Sequence, residues 1–215
     1  MIRYPFLKKN AVVGVTAPSS GVGAPLADLV KLSRSRMEAK GFHIICGDTV
    51  WTQEKAKSAP AKIRAREFNE MMGDDAIDII IPPWGGELLI EILEYIDFDA
   101  MKNKWILGYS DISVLLLAIT LKTGMATAHG TNLIDLRGEY SDDTTAMWQA
   151  VLSTMPGDAI LQHSSLKYQK EWRHDAPSPC VYHLTEDTYW KTVSNNPVMM
   201  KGRLLGGCID VIRHL

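Results

Sequence analysis

Short apolar runs alternate with stretches of helical spacing along the first 155 residues. Ala11-Val-Val-Gly-Val-Thr-Ala17 is continuous enough to be a strand buried on both faces, and it ends at Pro18-Ser-Ser-Gly21. A helix is predicted from Leu26 to Lys40 and closed by Gly41, because glycine accepts the left-handed conformation that ends a helix. His43-Ile-Ile-Cys46 reads as a second strand, and Ala61 to Met72 as a helix stopped by Gly73. Ala76 to Ile81 is a third strand broken at Pro82-Pro83, and Glu87 to Ile96 again carries apolar residues at helical spacing. Trp105 to Leu107 predicts a fourth strand, Ile112 to Leu121 a helix, and Gly124 to Gly130 a fifth strand.

This β-α repetition implies an α/β fold, a mostly parallel, doubly wound sheet with helices on both faces. Right-handed crossovers then bring the C-terminal ends of the strands to one rim, where ligands bind in such sheets. Three loops are expected to meet there: Ala17-Pro-Ser-Ser20, Pro82-Pro-Trp-Gly-Gly86 and Gly108-Tyr-Ser-Asp111.

Past residue 155 the pattern loosens. Pro156-Gly157 breaks the preceding helix, and Gln162 to Pro179 is polar, with Trp172, Arg173 and His174 beside Pro177. Val181-Tyr-His-Leu184, Trp190-Lys-Thr-Val193 and Val198-Met-Met-Lys201 read as short strands. The expected organisation is a nucleophile domain over residues 1–155, an interdomain linker over 156–180, and the start of a second, smaller β-rich domain over 181–215. Residues from about 180 onward are expected to be poorly packed in an isolated chain or to rely on dimer contacts, since strands without partners leave open edges and apolar surface.

Composition narrows the function classes. A chain 46% hydrophobic and 22% charged, with a formal net charge of −2, offers no basic field for nucleic acid and no membrane surface. The first nine residues lack the long apolar core of a signal peptide, and Cys46, Cys180 and Cys208 are widely spaced, which suggests a reducing, cytoplasmic setting. The six histidines show no metal-ligand spacing, so neither a metal nor another cofactor is expected. Neither glycine-rich nucleotide fingerprint occurs.

The turn at Gly108-Tyr-Ser-Asp111 is where an α/β enzyme would present a nucleophile: an apolar strand runs into Ser110 and straight on into an apolar helix. The second glycine of G-x-S-x-G is missing, and Ser followed by Asp is also an ordinary helix cap. Gly85-Gly86 lets backbone N–H groups approach a substrate closely, so the amides of Gly86 and Asp111 could form a two-donor oxyanion hole beside Ser110. A lone Gly-Gly pair is more often merely a strand-to-helix turn. Glu87 could meet a substrate amine, or simply favour a helix N-terminus. His129, after the fifth strand, lies nearest to Ser110 of the histidines and is the geometric candidate for a base.

Pro82-Pro-Trp-Gly-Gly-Glu87, Gly108-Tyr-Ser-Asp-Ile-Ser113, Ala128-His-Gly-Thr-Asn132 and Gly202-Arg-Leu-Leu-Gly-Gly-Cys-Ile-Asp210, in this order, resemble the LD-carboxypeptidase family of serine peptidases, and within it the microcin C immunity branch. The resemblance implies a Ser-Glu-His triad with Ser110 as nucleophile and the amides of Gly86 and Asp111 as oxyanion donors. It implies hydrolysis of an amide bond, either in a peptidyl or aminoacyl-nucleotide toxin of the microcin C type or at an L,D bond in murein peptides. It also implies a cytoplasmic homodimer and gives Trp172 as the aromatic stacked on a nucleotide-like group, beside the plain reading of an exposed linker tryptophan. His-Gly at residues 129–130 is shared with the family, which does not use that histidine as its base. In the family the triad's glutamate and histidine lie downstream of the last motif. Here Leu215 follows Asp210 by only five residues. The base and its orienter are therefore expected outside these residues, and the chain as written is expected to be almost inactive. The alternative is a non-catalytic or vestigial module that keeps the cleft and binds a small molecule or peptide.

Overall fold

The computed structural model describes residues 1–173, 176 and 178–215. Five parallel strands form the central sheet in the order β2-β1-β3-β4-β5: β1 (Val12–Val15), β2 (His43–Cys46), β3 (Ile79–Ile80), β4 (Trp105–Gly108) and β5 (Ala128–His129). Alternate strand residues go to opposite faces and so build two cores. Val13, Val15, Ile79, Trp105 and Leu107 pack with α1 (Ala27–Ala39), α4 (Trp148–Leu152) and the 3₁₀ turn at Leu133–Leu136. On the other face Ile80 and Ile106 pack with α2 (Ala61–Gly73), α3 (Ile112–Thr123) and the 3₁₀ segment at Leu89–Tyr95. Each fully buried side chain of this kind contributes about 1.5–3 kcal/mol. The α/β reading of the sequence and its parallel sheet therefore hold.

The strand order decides where a site can form. The chain winds one way from β1 to β2 and the other way from β1 to β3, so the loops after β1 and β3 part at a topological switch point. Those are the loops at Ala17–Ser20 and Pro82–Gly86, with the loop after β4 beside them.

Two local expectations change. Glu87 to Ile96 is not an α-helix; Leu89–Tyr95 is 3₁₀, with Glu91 N–H donating to Leu88 O at 3.3 Å and Ile96 N–H to Leu93 O at 3.4 Å. Its two ends are fixed from outside, by the Asp111 carboxylate at Leu89 N–H and by Asn69 at Tyr95 O, so tertiary bonds set the winding. The strands expected at Val181–Leu184, Trp190–Val193 and Val198–Lys201 do not form. A strand needs a partner's ladder, and the only pairing among the described residues beyond β5 is the antiparallel β6 (Lys167–Tyr168) with β7 (Glu186–Asp187). Val193, Met199 and Leu204 are fully exposed.

The last stretch nevertheless returns to the sheet domain. The Cys208 N–H donates to Ser113 Oγ at 2.9 Å, and α5 (Ile209–Ile212) leans on α3 through Val211. A Cβ on Gly207 would sit 2.7 Å from Ser113 Cβ, so this approach requires glycine. Among the described residues no helix is long and apolar enough to cross a membrane.

Candidate active site

Ser110 stands at φ +64, a left-handed conformation that a side chain with a Cβ adopts only at a cost of about 1–2 kcal/mol. The buried strand β4 and the buried first turn of α3 hold it there, with Ser113 N–H donating to Ser110 O at 2.9 Å. This is the sharp strand-turn-helix that lifts a hydroxyl above a sheet rim. A Cβ on Gly85 would lie 2.9 Å from Ser110 Cβ, 3.0 Å from its Oγ and 3.2 Å from Asp111 N. The β3 loop can touch the serine turn only because residue 85 has no side chain. Gly86 has φ +151, and a Cβ there would run into Ser19 Oγ and the Ser20 backbone. Gly85 therefore faces Ser110 and Gly86 faces the β1 loop, with the Gly86 amide following directly after Gly85. Among the described residues neither the Gly86 nor the Asp111 amide donates to a backbone acceptor.

Buried polar groups bolt the three loops together. Asp111 is 4% exposed; its Oδ2 accepts from Ser19 Oγ at 2.5 Å and from Leu89 N–H at 2.9 Å, so one carboxylate joins the loops after β1, β3 and β4. Arg64 on α2 is wholly buried. It donates to Pro18 O at 2.7 Å, Leu88 O at 3.0 Å, Ala59 O at 2.8 Å and Glu91 Oε2 at 2.5 Å. Burial pulls its pKa below the usual arginine value, while Glu91 and Asp111 oppose that. Glu67 braces the end of β1 by accepting from the Thr16 and Thr49 hydroxyls, each at 2.5 Å. These ties went unread in the sequence. Arg64 could have been found, since it shares the inward face of α2 with Ala65, Phe68 and Met72 at helical spacing.

A cavity of about 450 Å³ opens beside this turn, lined among others by Tyr109, His129, Thr131, Trp172, Tyr182 and Leu184. Ser110, Gly85, Gly86 and Glu87 are not in its wall; the Ser110 turn borders it through Tyr109. Trp172 belongs to that wall, its ring centroid 6.5 Å from that of Tyr182 at an interplanar angle of 52°. Glu87 is exposed. His129 pairs with Gly108 in the β4–β5 register, and burial lowers its pKa, favouring neutral imidazole. No histidine or carboxylate among the described residues is hydrogen-bonded to the Ser110 hydroxyl: Asp111 serves Ser19 and Leu89, His183 bonds Ala176 and His214 bonds Arg213. His174 and Pro177 lie outside the described residues. Among those described, no group of three His, Cys, Asp or Glu side chains could hold a metal ion.

Residues 13–130 match the LD-carboxypeptidase N-terminal domain. A Vibrio cholerae protein named as a carboxypeptidase is 29% identical over 213 residues, covering 93% of this chain and 60% of its own length. The microcin C7 self-immunity protein of Escherichia coli is 33% identical over 143 residues, 64% of this chain and 42% of that protein. A solved structure of a microcin C7 self-immunity protein in complex with aspartyl sulfamoyl adenosine superposes with a TM-score of 0.72 at 25% identity, covering 80% of this chain and 52% of that one. The chain thus spans between about two fifths and three fifths of the length of these relatives.

Proposed function

The chain belongs to the LD-carboxypeptidase family of serine peptidases, and from that premise we propose that it carries the nucleophile half of an amide-hydrolysing site. Ser110 attacks the carbonyl carbon, and the amides of Gly86 and Asp111 receive the charge that develops on the carbonyl oxygen. The observation that carries this reading is the left-handed Ser110, touched by a β3 loop that only a glycine at residue 85 lets so close, and beside two amides that donate to no backbone acceptor among the described residues. Each such donor is worth roughly 10²–10³ in rate in acyl-transfer enzymes. The Glu and His that complete the triad are groups other than those of the described residues, which by themselves turn over slowly; loss of the base costs on the order of 10⁶ in kcat in a comparable hydrolase.

The substrate is an aminoacyl- or peptidyl-nucleotide of the microcin C type in preference to a murein peptide. Tyr109, Trp172 and Tyr182 in the cavity wall suit a planar base, whereas a murein tetrapeptide has no aromatic ring to place there. Glu87, exposed beyond the cavity wall, meets a substrate amine in this reading. A cytoplasmic homodimer completes the reading, and size-exclusion chromatography with light scattering checks the stoichiometry.

Mass spectrometry with a fluorophosphonate tests the chemistry, applied to residues 1–215 and to a longer polypeptide that carries a Glu–His pair downstream. Labelling of the longer form, abolished by Ser110→Ala and far slower in the shorter, is expected. A second reading, a binding module without turnover, is favoured by the absence of any base on Ser110 among the described residues. Tight binding of aspartyl sulfamoyl adenosine with no labelling of either polypeptide would establish it in place of the first.

A further inference from the structure

Under the cavity lies a buried acid that the chemistry above does not use. Asp135 is 1% exposed, and its Oδ1 has no hydrogen-bond partner among the described residues. Its Oδ2 accepts the Asn132 N–H at 3.0 Å, the return arm of a capping box on the 3₁₀ turn that follows β5. Asn132 in turn reaches the nucleophile loop, where its Oδ1 accepts the Tyr109 N–H at 3.3 Å. The phenols of Tyr109 and Tyr182 are within reach of the Asp135 carboxyl and of each other, and both line the cavity. Burial first, and then the Asp135 charge, push both phenols above the ordinary tyrosine value, so they remain hydrogen-bond donors at any working pH. Three separate pieces of chain converge here: the Ser110 turn through Tyr109, the turn after β5 through Asp135, and the Trp172-bearing wall through Tyr182.

We propose that Asp135 is a positioning residue whose carboxyl group, accepting from Tyr109 and Tyr182, latches the wall of the cavity to the nucleophile turn. The latch gives the unpaired Oδ1 its natural donors, which a buried oxygen needs in place of water. A ligand seated in the cavity is thereby registered against Ser110, a consequence that rests on the reading of the cavity as the ligand's place. Asp135 touches neither Ser110 nor substrate, so its effect passes through the two tyrosines.

Amide hydrogen exchange reads the latch directly. Tyr182→Phe removes one donor and leaves the capping box intact, so a purely structural role for Asp135 would not register in it. Exchange across residues 178–184 is expected to accelerate about tenfold, the equivalent of one net hydrogen bond, with β1 to β4 unchanged. Asp135→Asn, which keeps an acceptor, is expected to stay close to the parent, and Asp135→Ala to loosen the wall as Tyr182→Phe does. Unchanged exchange in Tyr182→Phe overturns the proposal, as does equal loosening by Asn and Ala at residue 135. Affinity for aspartyl sulfamoyl adenosine is measured on the same variants. If the wall loosens and affinity holds, the latch stands and the ligand reading of the cavity fails.

Discussion

The sheet domain and the chain beyond residue 155 are built on different principles. In the first, every loop at the rim is tied to the others by groups that water does not reach: Arg64 holds the β1 and β3 loops by their carbonyls, and Asp111 holds all three. In the second, large apolar residues such as Val193, Met199 and Leu204 are fully exposed, and attachment to the sheet domain comes down to a few contacts. Among these are Tyr182 at Asp135, the Tyr140 N–H donating to Pro179 O at 3.0 Å, the Thr144 and Ser165 hydroxyls at 3.2 Å, the Cys208 N–H on Ser113, and Val211 against α3. The rim that carries Ser110 is thus fixed by buried groups of the sheet region itself. The cavity wall is attached to it through those contacts.

That contrast breaks most sharply at Arg64. Arg64→Met strands the carbonyls of Pro18 and Leu88 and leaves Glu91 with Lys57 at 3.3 Å as its remaining partner, and removing one partner of a buried charged network costs about 3–5 kcal/mol. Urea denaturation is expected to show a loss near the lower figure, because Glu91 is 35% exposed and water partly compensates it. A loss within the range of ordinary surface substitutions, about 0.5 kcal/mol, would mean that the rim loops do not depend on the network.

Gly207→Ala probes the other region. Its Cβ would be 2.7 Å from Ser113 Cβ, on a helix that cannot yield, so the C-terminal stretch must lift at a cost of about 1–3 kcal/mol. Faster exchange confined to residues 207–212, with the midpoint of thermal unfolding unchanged, is the expected result. A lowered midpoint would show that the returning segment is part of the platform after all.

A smaller effect comes from pH. Burial holds the Asp135 carboxyl above its ordinary value of 3.8, against the Asn132 N–H, Tyr182, Arg137 and Tyr109, which pull it down. The fold therefore favours the protonated acid: its contribution is complete below the unfolded value and is lost as pH rises through the folded one. Asp142 is shifted the same way by burial, so the wild-type curve alone does not isolate Asp135. The difference between wild type and Asp135→Asn does, and it should grow in the variant's favour across that window.

How much of this was legible depends on whether the cause is local. The turn at Ser110 could be read because two apolar runs flank it in sequence, and Gly41, at φ +91, closes α1 where the pattern stops. Asp111 was placed for its amide, while its side chain bonds Ser19, 92 residues away, a pairing that no short window contains. Val181 to Leu184 has β-like composition and no strand beside it, and a ladder is a property of pairs. Trp172 is visible in sequence as an aromatic in a polar stretch; the cavity around it exists only once Tyr109 and His129 arrive from the ends of β4 and β5.

The smallest expected change sharpens the comparison furthest. If the platform spends stability to hold its nucleophile, Ser110→Gly should return some of it, since glycine occupies φ +64 without the clash that costs a serine about 1–2 kcal/mol. Glycine also gains freedom in the unfolded chain, which offsets about 0.5–1 kcal/mol, so the net stabilisation should be about 0.5 kcal/mol. Asn195, also at positive φ, sits in the loosely attached region and carries no such chemistry, and Asn tolerates the left-handed region by local hydrogen bonding. Asn195→Gly should therefore leave stability within error. A gain at residue 110 with none at 195 would show stored strain at the Ser110 turn that a left-handed Asn does not carry; equal gains would reduce Ser110 to one left-handed residue among several.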